Sequence, residues 1–376
     1  MELSRRECNI LKGWSIMTII FHNYCRRIPN AAIENEFTWK IEKTLYFYTH
    51  YYDSYLTNFF SFLGHYGVVI FVFLSGYGLV KKYEINTNET ISKKSFVVKH
   101  YLKLTPLLLG GISLYWITHY ILNSELTGLS IYQIIAQLSY TVNLIPMQFL
   151  GIYPGPYWYF GMTMELYVIY IFLIYRKKVI IPITICIICL VSLYLSNGHY
   201  LTQTWLKLNF IGSFFPFTLG LLFAKNQLHI SLPMINIPQR YHVSTNNRFL
   251  KRTKCYLKKI LLVLCILFFI SVTLLFEKFY FTWVFIAIPV LGLAFCVIRL
   301  YYGHNSCIME EVGRRSNLLF VIHPIIREIP LAYRDCLINH PYIFLTFYLL
   351  FSFLTITPFR YYLDSLHLIA RNIFGK

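Results

Sequence analysis

Charge is what this sequence has least of. Asp, Glu, Lys and Arg together make up 13% of its 376 residues, about half the roughly 25% usual for a soluble domain. Acidic residues are the scarcest, 16 against 34 Lys and Arg. There is also no internal repeat, low-complexity tract or heptad array. These shortages exclude a string of soluble domains, a solenoid and a coiled coil. The excess of basic over acidic residues does not point to nucleic acid, because no folded basic domain is present to carry such a surface. The first apolar stretch, Ile10 to Cys25, has no small-residue cleavage site after it and reads as a retained helix, not a removed leader.

What the sequence has in abundance is apolar surface. Hydrophobic residues reach 57% and aromatics 19%, with 32 Tyr and 32 Phe. Apolar runs recur along the whole length, each able to cross a hydrocarbon layer of about 30 Å. A backbone in lipid must satisfy its own polar groups, so the runs predict helices. The expected fold is all-α and polytopic, a single membrane-embedded domain over 1–376 with about ten transmembrane helices. Candidate spans are 10–25, 64–80, 104–122, 157–175, 179–195, 208–224, 260–276, 282–298, 317–332 and 342–359. The less apolar segment 131–150 reads as re-entrant or interfacial. With the N- and C-termini cytoplasmic, most of the 34 Lys and Arg fall in inner segments, as the positive-inside rule requires. Treating 131–150 as a full span would move Arg176-Lys177-Lys178 and the basic loop 225–259 to the outside. That loop reads as a topology signal or a contact with anionic membrane lipids, with a ligand site as the alternative. The outer loop 26–62 is rich in Tyr and carries several acidic residues.

Cysteine carries little here. Cys186 and Cys189 form a Cys-x-x-Cys, but they lie in a lipid-facing apolar run without the two further ligands zinc would need. No metal is expected. Cys25 and Cys336 can both face outward, which leaves a disulfide open.

An ionisable side chain inside a membrane costs several kcal/mol unless paired or wet, so each one is a candidate for function. His22, Glu165 and His323 are the main ones. Lys12, Lys103, His119, Arg314, Arg315 and Arg327 lie near span ends, where snorkelling is the alternative. A neutral imidazole at His22 suits proton abstraction from a hydroxyl, and Asn23 beside it can donate or accept a hydrogen bond. Packing between helices is the competing reading for both. In the second span, Ser75, Gly76 and Gly78 would let backbones approach closely.

Several of these residues fall in an order that resembles the bacterial membrane acyltransferase-3 family. Leu11-Lys12-Gly13 followed by His22 is similar to that family's opening helix. Phe71-Val72-Phe73-Leu74-Ser75-Gly76-Tyr77 and Lys103-Leu104-Thr105-Pro106 resemble its second and third motifs. Tyr157-Trp158-Tyr159-Phe160 leading to Glu165, and Ser316 through His323-Pro324, resemble its later ones. The family's base and histidine stand eleven positions apart, within about 20° on a helix; Lys12 and His22 are ten apart, about 80°, and Asn23 takes the usual register.

The resemblance implies O-acetylation of a surface polysaccharide or related glycan, with acetyl-CoA as acyl donor, in the bacterial cytoplasmic membrane. It implies catalytic roles for His22, Glu165 and His323, and donor-phosphate contacts for Lys12, Lys99, Lys103, Arg314 and Arg315. Asn23, Ser75, Tyr157 and Trp158 would line the acceptor path. A transporter or lipid-linked glycan flippase is the second class, although no inverted repeat supports it. Polytopic acyltransferases acting on lipids or proteins are a third. None of the twelve histidines has an Asp five positions on, the pattern of soluble glycerolipid acyltransferases.

Overall fold

The computed structural model describes residues 2–87, 89–123, 130–225, 245–301, 307–333 and 339–374, which form helices and connecting turns with no strand among them. Helix α1 (Arg5–Cys25) starts at a reciprocal cap: Ser4 Oγ accepts from the Glu7 amide at 3.2 Å and Glu7 Oε2 accepts from the Ser4 amide at 2.8 Å. Two of the otherwise orphaned donors of the first turn are thereby satisfied. Glu7 is buried and also pairs with Arg299 at 3.0 Å.

The chain continues through α2 (Ile41–His50), α3 (Tyr55–Leu63), a 3₁₀ turn at Gly64–Tyr66 and α4 (Gly67–Val80). Then come α5 (Lys93–Asn123), α6 (Ile131–Leu138), α7 (Trp158–Ile169), α8 (Ile180–Leu195), α9 (Tyr200–Leu208) and α10 (Phe210–Ala224). The last elements are α11 (Thr245–Glu277), α12 (Tyr280–Trp283), α13 (Ala287–Tyr301), α14 (Cys307–Arg314), α15 (Ser316–Ala332), α16 (Pro341–Leu354) and α17 (Ile356–Phe374).

Among the described residues, four stretches are long and apolar enough to cross a membrane: Tyr55–Ile85, Gly155–Ile174, Tyr256–Glu277 and Pro341–Leu366. Helices α9 and α10, bent by 45° at Asn209, make a fifth if taken as one span. The chain is thus a multi-pass membrane protein. Helices also cover the other expected segments, but α8 is only 16 residues long and α1 carries Arg5, Arg6, Glu7 and Lys12. The expected span 64–80 is longer than predicted, because α3 continues it into what reads in sequence as outer loop. Segment 131–150 holds only α6 and a 3₁₀ turn at Val142–Leu144; Gln133 and Gln137 tie α6 to the carbonyls of Gly151 and Tyr153, each at 2.8 Å.

Helices α4 and α10 cross in close contact. A Cβ on Gly76 would stand 2.3 Å from the Phe217 oxygen, and one on Gly220 would stand 2.1 Å from the Phe73 oxygen. Only hydrogen fits at both positions. Gly78 has open space around it and plays no such part. Ile187, Ile188 and Val191 on α8, and Leu264, Leu267 and Phe268 on α11, are exposed as lipid-facing side chains are. Cys186 and Cys189 do not share that face, as the sequence suggested: both are buried, as free thiols. Cys25 is likewise a buried free thiol, and Cys336 lies outside the described residues, as does most of the basic loop 225–259.

At one end of the bundle Glu277, fully buried, fastens the loop that follows α1. Its carboxylate accepts from Asn35 Nδ2 at 2.8 Å and from the Tyr66 hydroxyl. Its backbone oxygen accepts from Trp39 Nε1 at 2.9 Å and Thr44 Oγ1 at 3.2 Å. This latch brings Glu34 and Glu36 over the end of α1.

Candidate active site

His22 lies on the last turn of α1 and is only 2% exposed. Its Nδ1 sits 3.0 Å from the carbonyl oxygen of Ser61 and 3.3 Å from that of Phe60, both at the end of α3. A carbonyl oxygen only accepts, so Nδ1 carries the proton, and in the neutral ring the lone pair belongs to Nε2. Nε2 looks into a cavity of about 410 Å³. There it meets Arg26 Nη1 at 3.3 Å and Glu36 Oε2 at 3.8 Å.

Arg26 bridges two carboxylates, Glu34 at 2.9 Å and Glu36 at 3.2 Å. Burial pushes the Glu36 carboxyl up, but the hydrogen bond and charge that His22 supplies once Nε2 is also protonated, together with the charge of Arg26, outweigh it and hold the group below the usual carboxylate range. His22, Glu34 and Glu36 place ligand atoms within 4.8 Å of one another, the one such group among the described residues. The Arg26 guanidinium already stands between the two carboxylates, where a metal cation would have to sit.

The other walls come from distant helices. Asn23 shares the cavity with His22, so the cavity takes in both the observed and the usual register of α1. Asn23 is not a free donor: Nδ2 bonds to the Ile19 carbonyl at 3.0 Å, and Oδ1 accepts from Arg327 Nη1 of α15 at 3.1 Å. Trp158 lines the cavity and packs edge-on to Phe37, ring centres 5.4 Å apart. His65, buried, stands 5.4 Å from the His22 ring and separates this cavity from a smaller one of about 60 Å³ lined by Lys207. Lys207 places its ammonium 4.4 Å from the centre of the Trp283 ring.

A second cavity, about 190 Å³, adjoins the first. It is lined by Lys12, Thr163, Ser316 and Asn317, and it shares Ile19, Val68, Tyr159 and Phe320 with the His22 cavity. Lys12 and His22 are separated by about 15 Å of α1, so the two cavities open toward opposite ends of that helix. The Tyr159 and Phe320 rings, 5.2 Å apart, stand at their junction. Near the Lys12 end, desolvation and then the charges of Lys82, Lys12 and Lys99 depress the pKa of Lys103, in the polar first turns of α5. These four lysines form one cationic cluster.

The remaining sequence candidates lie elsewhere. Glu165 Oε2 accepts from the Phe210 amide at 2.7 Å, capping the first turn of α10, and lines neither cavity. His323, fully buried, bonds through Nδ1 to the Leu319 carbonyl at 3.0 Å, and its Nε2 has no partner; it too lines neither cavity. Tyr157 donates to the Val321 carbonyl of α15 at 2.8 Å, a contact between helices, and Ser75 donates to the Phe71 carbonyl at 3.0 Å within α4. Arg314 and Arg315, at the end of α14, pair with Glu310 and Glu311 of that helix. Sequence reasoning left out Arg26, Glu34, Glu36 and His65. The one visible signal was the acidic character of the loop after α1.

Against known proteins, the acyltransferase-3 family model, described as an acyltransferase domain, matches residues 5–361. No curated protein and no solved structure matches the chain.

Proposed function

The chain belongs to the acyltransferase-3 family, and from that premise we propose that it transfers an acetyl group from acetyl-CoA to a hydroxyl of a surface polysaccharide or related glycan. The single observation that carries the reading is His22, with Nδ1–H held by the Ser61 carbonyl and Nε2 facing a cavity that Arg26, Glu34 and Glu36 also line. A base so oriented has one task open to it, the removal of a proton from a group that enters that cavity.

The donor enters from the lysine side. Lys12, Lys82, Lys99 and Lys103 meet its phosphates, and its extended arm carries the thioester past Tyr159 and Phe320 toward His22. The acceptor enters the larger cavity against Trp158. Nε2 takes the hydroxyl proton as the sugar oxygen attacks the thioester carbonyl. The tetrahedral oxyanion forms beside Arg26, which is near enough to donate to it. Collapse breaks the carbon–sulfur bond, and the imidazolium returns its proton to the leaving thiolate. Glu36 stabilises the imidazolium in between. On this reading Glu165 and His323 support helices and are not reacting groups, and Asn23 orients Arg327.

The basic residues of the inner segments support about ten crossings with both termini inside, and the family resemblance supports a bacterial cytoplasmic membrane as the location. Two cavities that meet in mid-bundle would also serve a glycan flippase. Mass spectrometry of surface glycans, with and without the gene, separates the two. One acetyl unit of difference per modified sugar supports the transferase. Unchanged glycan mass with lost export would replace it with the flippase.

A further inference from the structure

The His22 cavity holds more positive charge than its own carboxylates use. Arg26, Arg27, Lys43 and Arg327 line it, against Glu34 and Glu36. Arg26 is taken by both glutamates. Lys43 Nζ is taken by the backbone oxygens of Glu34 at 2.8 Å and Thr38 at 3.1 Å. Arg27 and Arg327 remain.

Arg327 is 5% exposed, and its orientation is fixed by Asn23 Oδ1 at 3.1 Å. Glu328 reaches its Nη2 only at 3.5 Å, and Nε, buried, has no partner. A buried guanidinium nitrogen without an acceptor is costly unless a ligand supplies one. Arg27, more exposed, stands at the rim. Desolvation, then the like charges of Arg327 and Arg26, push its pKa down against the smaller opposing pull of Glu328 and Glu34. Two guanidinium groups that repel each other beside a cavity are an arrangement an anion relieves.

We propose that Arg27 and Arg327 form an anion subsite in the acceptor cavity, so that the acceptor is an acidic glycan presenting a carboxylate or phosphate beside the hydroxyl that reacts. The inference rests on the acceptor entering by the His22 cavity, and it adds the acceptor's chemical class. Asn23 is then a positioning residue for the subsite, which explains its place next to the catalytic histidine.

The test is equilibrium binding to the full chain in lipid nanodiscs, with three probes: tetragalacturonate, its neutral methyl ester, and a glycerol-phosphate tetramer. At least one anionic probe should bind about tenfold more tightly than the ester. That preference should fall as salt rises and should largely disappear in Arg327→Gln. Arg27→Gln, at the rim, gives the same reading without disturbing buried packing. Which anion is preferred tells a carboxylate acceptor from a phosphate one. Equal binding of the ester and both anions, or a preference that survives both substitutions, would overturn the subsite. Binding needs no acyl transfer, so its outcome is independent of the acetylation assay.

Discussion

Nδ1 of His22 lies 3.0 Å from the carbonyl oxygen of Ser61. This contact joins α1 to the end of α3 and decides which nitrogen of the ring is basic. It depends on Gly64, just beyond, because a Cβ there would stand 2.8 Å from His22 Cβ and 2.7 Å from the Thr18 oxygen.

Gly64→Ala should therefore displace the ring. Overpacking of this kind costs about 1–3 kcal/mol, and we expect acetyl transfer to fall about tenfold or more with a lowered melting temperature. Gly78→Ala, with open space around it, is the control and should leave both unchanged. Equal effects of the two substitutions would detach Gly64 from the site.

Glu36→Gln removes the charge that faces Nε2, and transfer should fall about 10- to 100-fold. The same residue predicts a pH signature. Its carboxyl is held below the ordinary value in the folded protein, so its stabilisation is present above the unfolded pKa of about 4.3. It is lost as pH falls through the lower, folded value. Melting curves should show a constant gap between wild type and Glu36→Gln above about pH 5, closing under more acid conditions. A gap that opens toward acid would contradict the assignment.

Lys103→Glu should raise the KM for acetyl-CoA about tenfold, with kcat less affected and a strong salt dependence. Arg315→Glu should change KM less than about twofold, since Arg315, exposed just after α14, is already paired with Glu311 at 2.7 Å. The reverse ranking would move the donor site to α14.

Glu165→Gln keeps an oxygen to accept from the Phe210 amide and should retain activity within about threefold. Glu165→Ala loses that cap and should cost about 1 kcal/mol of stability. A loss of activity beyond about 100-fold in the Gln variant would return Glu165 to the chemistry.

Much of this was legible in the sequence, for identifiable reasons. Apolar runs dictate helices because lipid offers the backbone no partners, and an all-helical chain is what forms. His22 stood out as an imidazole in an apolar helix. Glu165 and His323 stood out by the same rule, which cannot tell a group facing a cavity from one that caps or packs a helix. Arg314 and Arg315 read as donor contacts from their place near a span end, which does not show that each is paired with Glu310 or Glu311 one turn away. Glu34, Glu36 and Arg26 could not be read because the latch that gathers them is Glu277, on a helix far along the chain. The break at Asn209, where its side chain caps α10 at 2.9 Å from the Ile211 amide, was hidden inside an apolar run.

The most direct test of the account is acetyl transfer by His22→Ala. Purified in nanodiscs, it should still bind acetyl-CoA with wild-type affinity and melt as a folded protein. Transfer of labelled acetyl to extracted surface glycan should fall by about 10³-fold or more. Transfer at close to the wild-type rate by that folded variant would contradict the claim that Nε2 of His22 takes the acceptor's proton.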